Sequence, residues 1–497
     1  VFLGGFTAAL HAQPFVPDSL RMDPWKVVGT GRRVDGKTLE VSGTGNDSSF
    51  WRCDAVKFRP GELYRFSVRA RRQGGSGSAI TGPTFANRDQ GRLTDQWQQI
   101  GHVFRVPDAS AGGFLRLGQW HATGAIQFDQ PRLVPVIPVH MLRQGMLLGE
   151  GEMIRGDQYV FSANFAHEGS NYHRVLSHAT ADFNSDRWVL GAGRSVTYCF
   201  QIPNRDIQKG TIGFHVNHHV RGGCVAEVSQ YGGSWHELAV QNGLGEAKAT
   251  IPGELLPAAQ IHLRLRAVGE ASYFQVNRVE FRAELSEALP DVVGRTRFAE
   301  IEQDSQQLEL TAMSLVRSRR SGDEVVRLTL HNRCEERFYL RAISKDAAGR
   351  QGTPWFFDVP RRSELEEPLD LDVPLPPGPA GNREIRLCLD IDRKTAIETK
   401  LRLRVPEFYR SDYGERIAGV SGKAVAWWCD ATHKIPRWRA APEAATPAAR
   451  LEAARNDREA VQIVVRPWKP LNALTATASP LVGPDGATIP ADKIQVL

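Results

Sequence analysis

Apolar and polar residues alternate with a period of two in short runs along most of the chain. Tyr64, Phe66, Val68 and Ala70 fall on one face of such a run, and Arg65, Ser67 and Arg69 on the other. That period marks a strand with one face buried and one face solvated. The same alternation recurs at 38–41, 97–106, 114–120 and 125–134, with Gly, Pro, Asp and Asn between the runs. Short strands at regular spacing predict a β-sandwich over 18–136. No helical period of any length appears.

Three further segments follow the same rule. Over 137–286 the strands are expected at 159–165, 196–202, 211–220, 224–230, 237–240, 260–267 and 273–283, a second sandwich. Its end echoes the end of the first. Leu115-Arg116-Leu117 precedes Phe128-x-x-x-Arg132, and Leu263-Arg264-Leu265 precedes Phe274-x-x-x-Arg278, which reads as a weak internal repeat. Over 290–408, alternating runs at 308–314, 325–332, 338–344 and 384–391 and a strand at 399–405 predict an immunoglobulin-like sandwich, a spacer by default. Over 418–497, strands at 424–429, 461–465, 474–478 and 494–497 suit a sandwich that is only partial. The fold class is therefore mainly β, as tandem sandwich domains.

Composition narrows the function classes. A chain of 497 residues has room for roughly three to five domains. Lys+Arg 62 against Asp+Glu 56 leaves +6, and the arginines are scattered. A nucleic-acid binder concentrates its basic residues in a stripe, so no nucleic-acid partner is expected. No run reaches the ~18 apolar residues of a membrane span. Residues 1–13, VFLGGFTAALHAQ, resemble the back half of a secretory signal peptide. With the apolar run at 493–497, this reads as a fragment of a longer exported protein: secreted, periplasmic or at the cell surface. Six cysteines stand at 53, 199, 224, 334, 388 and 429, none spaced C-x-x-C. That spacing gives no support to a zinc ribbon or redox pair. Export permits disulfides, and Cys199 with Cys224 or Cys334 with Cys388 share a segment. Buried free thiols are the expectation.

Segment one resembles the jelly-roll, galactose-binding-like carbohydrate-binding modules appended to bacterial glycosidases, and segment two does so more loosely. The resemblance rests on Pro60-Gly61-Glu62-Leu63-Tyr64-Arg65-Phe66-Ser67, on Leu115-Arg116-Leu117-Gly118 and on Ile126-x-Phe128-Asp129. It implies polysaccharide or glycoconjugate glycans as partners. It also implies a structural calcium ion with Asp129 as one ligand, a place Gln275 takes in segment two. No other cofactor is expected. The run 454–467, ARNDREAVQIVVRP, resembles the start of the N-terminal sandwich of glycoside hydrolase family 123, with Asp457 where that family has Glu. Trp427 and Trp428 fit its opening strand. In that family a following barrel hydrolyses N-acetylhexosaminides through an adjacent Asp-Glu pair, and no residue of this chain takes either role. The implied function is the non-catalytic front part of a secreted glycoside hydrolase. The competing reading is a cell-surface glycan-binding or adhesion scaffold without catalysis.

A pyranose is bound by an aromatic ring laid on its apolar face, with polar groups around the ring. Trp51 and Trp120 lie among polar or loop residues and are the candidate carbohydrate-binding residues, although structural packing competes with that role. Trp97 opens an alternating run and is expected in the core. Trp188, Tyr231 and Trp235 are weaker candidates. His215, His218 and His219 form the densest histidine group, and a half-exposed strand face is the better reading than zinc. Glu150 with Glu152 and Glu366 with Glu367 are paired carboxylates read as solvated charges. No hydrolase, zincin or P-loop motif occurs, so no catalytic residue is assigned.

Overall fold

In the computed structural model the alternating run at Leu63–Gln73 is one strand. Its side chains from Tyr64 to Arg72 are buried at every second position. The described residues are 23–109, 112–143, 145–166, 171–317, 324–364, 368–405, 413–420, 424–433, 435, 441–454, 457–467, 471–483 and 485–496. The signal-peptide-like segment and Glu366-Glu367 lie outside them. Among the described residues every extended element is a strand and no α-helix occurs. Among the same residues no helix is long and apolar enough to cross a membrane.

The first sandwich contains β1 (Trp25–Val28), β2 (Gly31–Val34), β3 (Thr38–Thr44), β4 (Ser48–Cys53), β5 (Leu63–Gln73), β6 (Ser78–Pro83), β7 (Ala86–Asp89), β8 (Gln98–Arg105), β9 (Leu115–Trp120) and the first half of β10 (Thr123–Arg143). One layer runs β1-β4-β9-β6-β7. In the other, β10 lies between β3 and β5, with β2 beyond β3 and β8 beyond β5. Trp25, Trp51, Tyr64, Phe66, Phe104, Leu117 and Phe128 fill the space between the layers. One inward residue breaks the apolar rule. The Arg72 guanidinium stays inside and donates to the carbonyls of Ser76 and Thr123, both at 3.0 Å, and of Gly77. A buried cation is tolerable when carbonyls replace its water.

β11 (Met146–Leu148) pairs with the end of β10 and packs on the core of the second sandwich, which holds β12 (Glu152–Ala163), β13 (Leu176–Ala179), β14 (Asp182–Asn184), β15 (Trp188–Gly191), β16 (Ser195–Gln201), β17 (Ile207–Ser229), β18 (His236–Gln241), β19 (Gly245–Thr250) and β20 (Gln260–Val293). The long strands β17 and β20 pair antiparallel from Ile207 to Ser229, and repeated register shifts bend them together. Their core is aromatic: Tyr159, Phe161, Tyr198, Phe200, Phe214 and Phe281 are buried, and the rings of Phe200 and Phe281 stack 4.1 Å apart. Short β14 pairs in parallel with β7, so one layer of the first sandwich runs on into the second. Phe183 on β14 packs against both cores.

The third sandwich comprises β21 (Thr296–Gln303), β22 (Leu308–Arg317), β23 (Glu324–Asn332), β24 (Phe338–Asp346), β25 (Trp355–Val359), β26 (Leu369–Pro374), β27 (Gly381–Ile391) and β28 (Lys394–Val405). Its sheet does not begin at Thr296. Val136–His140 of β10 pairs antiparallel with β21, and Val139–Leu142 pairs in parallel with β22. The residues from 137 that alternation assigned to the second sandwich are thus the first strand of the third. The second sandwich is inserted between neighbouring strands of that sheet.

The C-terminal unit, within 406–497, stands by itself as β29 (Glu415–Ile417), β30 (Ala424–Asp430), β31 (Ala445–Thr446) and β32 (Val461–Pro467), in the order β31-β29-β30-β32. A hairpin of β33 (Leu481–Val482) and β34 (Thr488–Ile489) follows. Trp427 and Cys429 on β30 are buried, while Ile463, Leu474 and Val482 are exposed.

Candidate functional site

The outward face of the β2-β3-β10-β5-β8 layer carries the polar half of each alternating run. Parity puts Arg32, Glu40, Gln127, Asp129, Arg69, Arg71 and Trp97 there, opposite the inward set Leu39, Val41, Ile126, Phe128, Val68 and Ala70. Pairing confirms the neighbours: Arg32 faces Glu40, Glu40 faces Gln127, Gln127 faces Arg71, and Asp129 faces Arg69. Trp97 immediately precedes β8, one residue before Gln98 pairs with Ala70, which places it beside Arg71.

These groups form a chain of hydrogen bonds. Arg32 Nε donates to Glu40 Oε1 at 2.7 Å, and Gln127 Nε2 donates to Glu40 Oε2 at 2.7 Å. Arg71 Nε donates to Gln127 Oε1 at 2.9 Å, with Gln73 Nε2 on the same oxygen at 3.2 Å. Arg69 holds Asp129 in a bidentate pair at 2.8 and 2.5 Å. Glu40 and Gln127 are only 4% and 3% exposed although they sit on the outward face. Burial works against the Glu40 carboxylate, but the hydrogen bonds from Arg32 and Gln127 and the Arg32 charge outweigh it, so it titrates below the usual range. Bonds to Asp129 push the Arg69 guanidinium upward.

Trp97 is half-buried, with the guanidinium carbons of Arg71 and Arg69 at 4.7 and 5.2 Å from its ring centre. Cations over an indole are attracted by its ring quadrupole. The site thus combines an aromatic ring, two oriented guanidinia and an ordered polar floor. The far end of the same face is closed. Glu300 of β21 receives Arg132 at 2.5 Å and Arg65 at 3.2 Å, and Phe298 packs on Val103 and Val134.

Trp51 is a core residue: it is 4% exposed and donates its Nε1–H to the Glu40 carbonyl at 3.0 Å. It leaves no ring face for a ligand. Trp120 is 59% exposed at the end of β9, between Ser48 and Ser78 on the flanking strands. Its ring stacks on His121 at 4.6 Å. Asp129, the implied calcium ligand, has both oxygens on Arg69. Trp97, expected in the core, belongs to the outward face. Its parity with Gln99 and Gly101, opposite the arginine row of β5, is the signal that sequence reading passed over.

The weaker candidates separate. Trp188 is buried and donates to Tyr198 Oη at 2.8 Å. Trp235 lies under Arg264 at 4.0 Å, and Tyr231 is exposed at a turn. His215 pairs with Asn277 at 2.7 Å and His219 donates to the Gly222 carbonyl at 2.8 Å. No cluster of metal-ligating side chains occurs among the described residues. Glu152 is buried rather than solvated, bound by Tyr159 Oη at 2.7 Å and Arg174 Nε at 2.5 Å. None of the six cysteines forms a disulfide.

No protein-family model matches the chain, and no curated protein matches it. Among solved structures, the tandem CBM22 domains of Xyn10C from Paenibacillus barcinonensis align with 56% of this chain and 99% of that one, at 10% identity and a TM-score of 0.21. A GH2 β-galacturonidase from Eisenbergiella tayi aligns over 47% of this chain and 38% of its own, at 12% identity and TM-score 0.16. A β-glucuronidase from Ruminococcus gnavus aligns over 48% and 39%, at 8% identity and TM-score 0.14. The chain spans under two fifths of each of those two enzymes. At these scores the likeness says nothing about ligand or reaction.

Proposed function

We propose that this chain is a glycan-binding, non-catalytic assembly of β-sandwiches from a carbohydrate-active exported protein, with its ligand on the Trp97 face of the first sandwich. One observation carries the reading. Glu40 and Gln127 are buried on an outward face and spend their hydrogen bonds on orienting Arg71 beside an indole. A sheet gains nothing in packing from such a floor, whereas sugar hydroxyls need fixed donors and acceptors next to a ring. Preorganised polar groups also lower the ordering cost of binding. The similarity of 454–467 to the family 123 sandwich supports N-acetylhexosaminide glycans as the target of the whole protein.

The test is a glycan array probed with the full chain and with Trp97→Ala. Loss of signal by roughly tenfold or more, with an unchanged melting temperature, supports the site; base or sugar stacking on one aromatic ring is worth that much. Equal signal from both proteins would remove it. Trp120 is a second exposed ring, and Trp120→Ala on the same array shows whether it adds a platform.

A further inference from the structure

We propose that the ligand of this face is an acidic glycan, and that its carboxylate or sulfate docks on Arg71; the inference rests on the reading of the face as a glycan site and adds the ligand's charge.

Three arginines line the open part of the face, and two are neutralised. Arg32 is paired with Glu40, and Arg69 with both oxygens of Asp129. Arg71 donates its Nε to Gln127 Oε1, which carries no charge. Among the described residues no carboxylate pairs with it. Its neighbour across the strand gap is a tryptophan ring, which also carries no formal charge. Further along the same face Arg65 and Arg132 also meet a carboxylate, that of Glu300. The exception therefore stands out in the middle of a balanced lattice.

The geometry of Arg71 adds to the charge argument. A guanidinium offers carboxylates and sulfates two edges. Gln127 occupies the edge that contains Nε, so the end formed by the two Nη groups remains for a ligand. Its direction is set from below: Arg32 fixes Glu40, Glu40 fixes the Gln127 amide, and the amide carbonyl fixes Arg71. Side chains that bind anions by chance are mobile, whereas this one is held at Nε and by the ring. The half-buried Trp97 lowers the local dielectric and strengthens the pairing. A sugar ring against Trp97 with an acidic substituent toward Arg71 satisfies both groups at once.

The experiment uses the full chain on an array that prints uronate and sulfated oligosaccharides beside their neutral counterparts, the methyl esters and desulfated forms. Wild-type chain should bind the acidic members about tenfold or more above the neutral ones, as a charge-assisted hydrogen bond predicts. Whether uronate or sulfate gives the stronger signal identifies the source of the anion. In Arg71→Gln the acidic-to-neutral ratio should fall to near one, and Arg71→Lys should keep part of the ratio. Equal wild-type signals for acidic and neutral members would overturn the charge inference and leave the Trp97 site standing. No signal above that of Trp97→Ala for any glycan would overturn both. Melting curves of each variant separate lost binding from lost folding.

Discussion

Arg132 of β10 donates to Glu300 of β21 at 2.5 Å across 168 positions of sequence. Arg65 reaches the other oxygen of the same carboxylate at 3.2 Å. One buried anion thus ties the outward face of the first sandwich to the sheet of the third. Glu300→Ala leaves two guanidinia facing a lost partner. The expected cost is about 1.5–3 kcal/mol, the range for hydrogen bonds to charged groups. Differential scanning calorimetry should show an earlier transition, and an unchanged melting profile would mean that the pair contributes nothing.

Trp51 and Trp120 of the first sandwich should behave differently. Trp51→Ala removes a buried ring and should cost roughly 3–5 kcal/mol. Trp120→Ala deletes an exposed ring and should stay within about 0.5 kcal/mol of wild type. Chemical denaturation of both variants checks the pair, and a large loss at Trp120 would contradict its placement at the surface.

Stability should fall as the pH drops below 6.5. Burial lowers His102 to about 4 and both His140 and His173 to about 3. Nearby Arg105 adds to the effect at His173, and Arg174 at His140. The unfolded chain binds protons at these rings from about pH 6.5 downward and the folded chain does not. The stability is therefore full above pH 6.5 and is lost toward the folded values, at about 1.4 kcal/mol per pH unit for each ring. Melting temperature against pH measures the slope. His173→Phe keeps the edge contact with Phe298 at 5.4 Å and should flatten the curve; an unchanged slope would exclude His173 as a contributor.

All six thiols should titrate in denaturant without reductant. In the folded chain Cys53, Cys224, Cys388 and Cys429 are buried, and burial pushes the thiols of the first three upward. Cys199 and Cys334 are half-buried and should react first with a thiol reagent. A count of four or fewer after denaturation would reveal a disulfide that the free thiols of this structure do not contain.

Much of the fold was legible because a strand declares itself locally. The period of two in 63–73 or 260–267 needs no knowledge of the partner strand. The inserted domain was not legible in the same way. Residues 136–142, Val-Ile-Pro-Val-His-Met-Leu, form an apolar run that suits either neighbouring sheet, and only pairing with Thr296–Glu300 decides between them. The candidate site failed for a related reason. An indole reads as core from its chemistry alone, yet Trp97 belongs to the same parity as the arginines of β5, and its role comes from that facing row. The Asp129 partner was likewise not legible, because Arg69 lies 60 positions away in sequence.

The shared strand has a consequence for how the protein is made. When β10 leaves the ribosome its second half has no partner, because β21 and β22 are still to be translated. At roughly 5–20 residues per second the insert of about 150 residues takes about 10–30 s to synthesise. For that interval the apolar edge at Val136–Leu142 waits beside a finished first sandwich while another sandwich folds. Translation speed through the insert, more than any property of the finished molecule, sets how long that edge is available to other nascent chains.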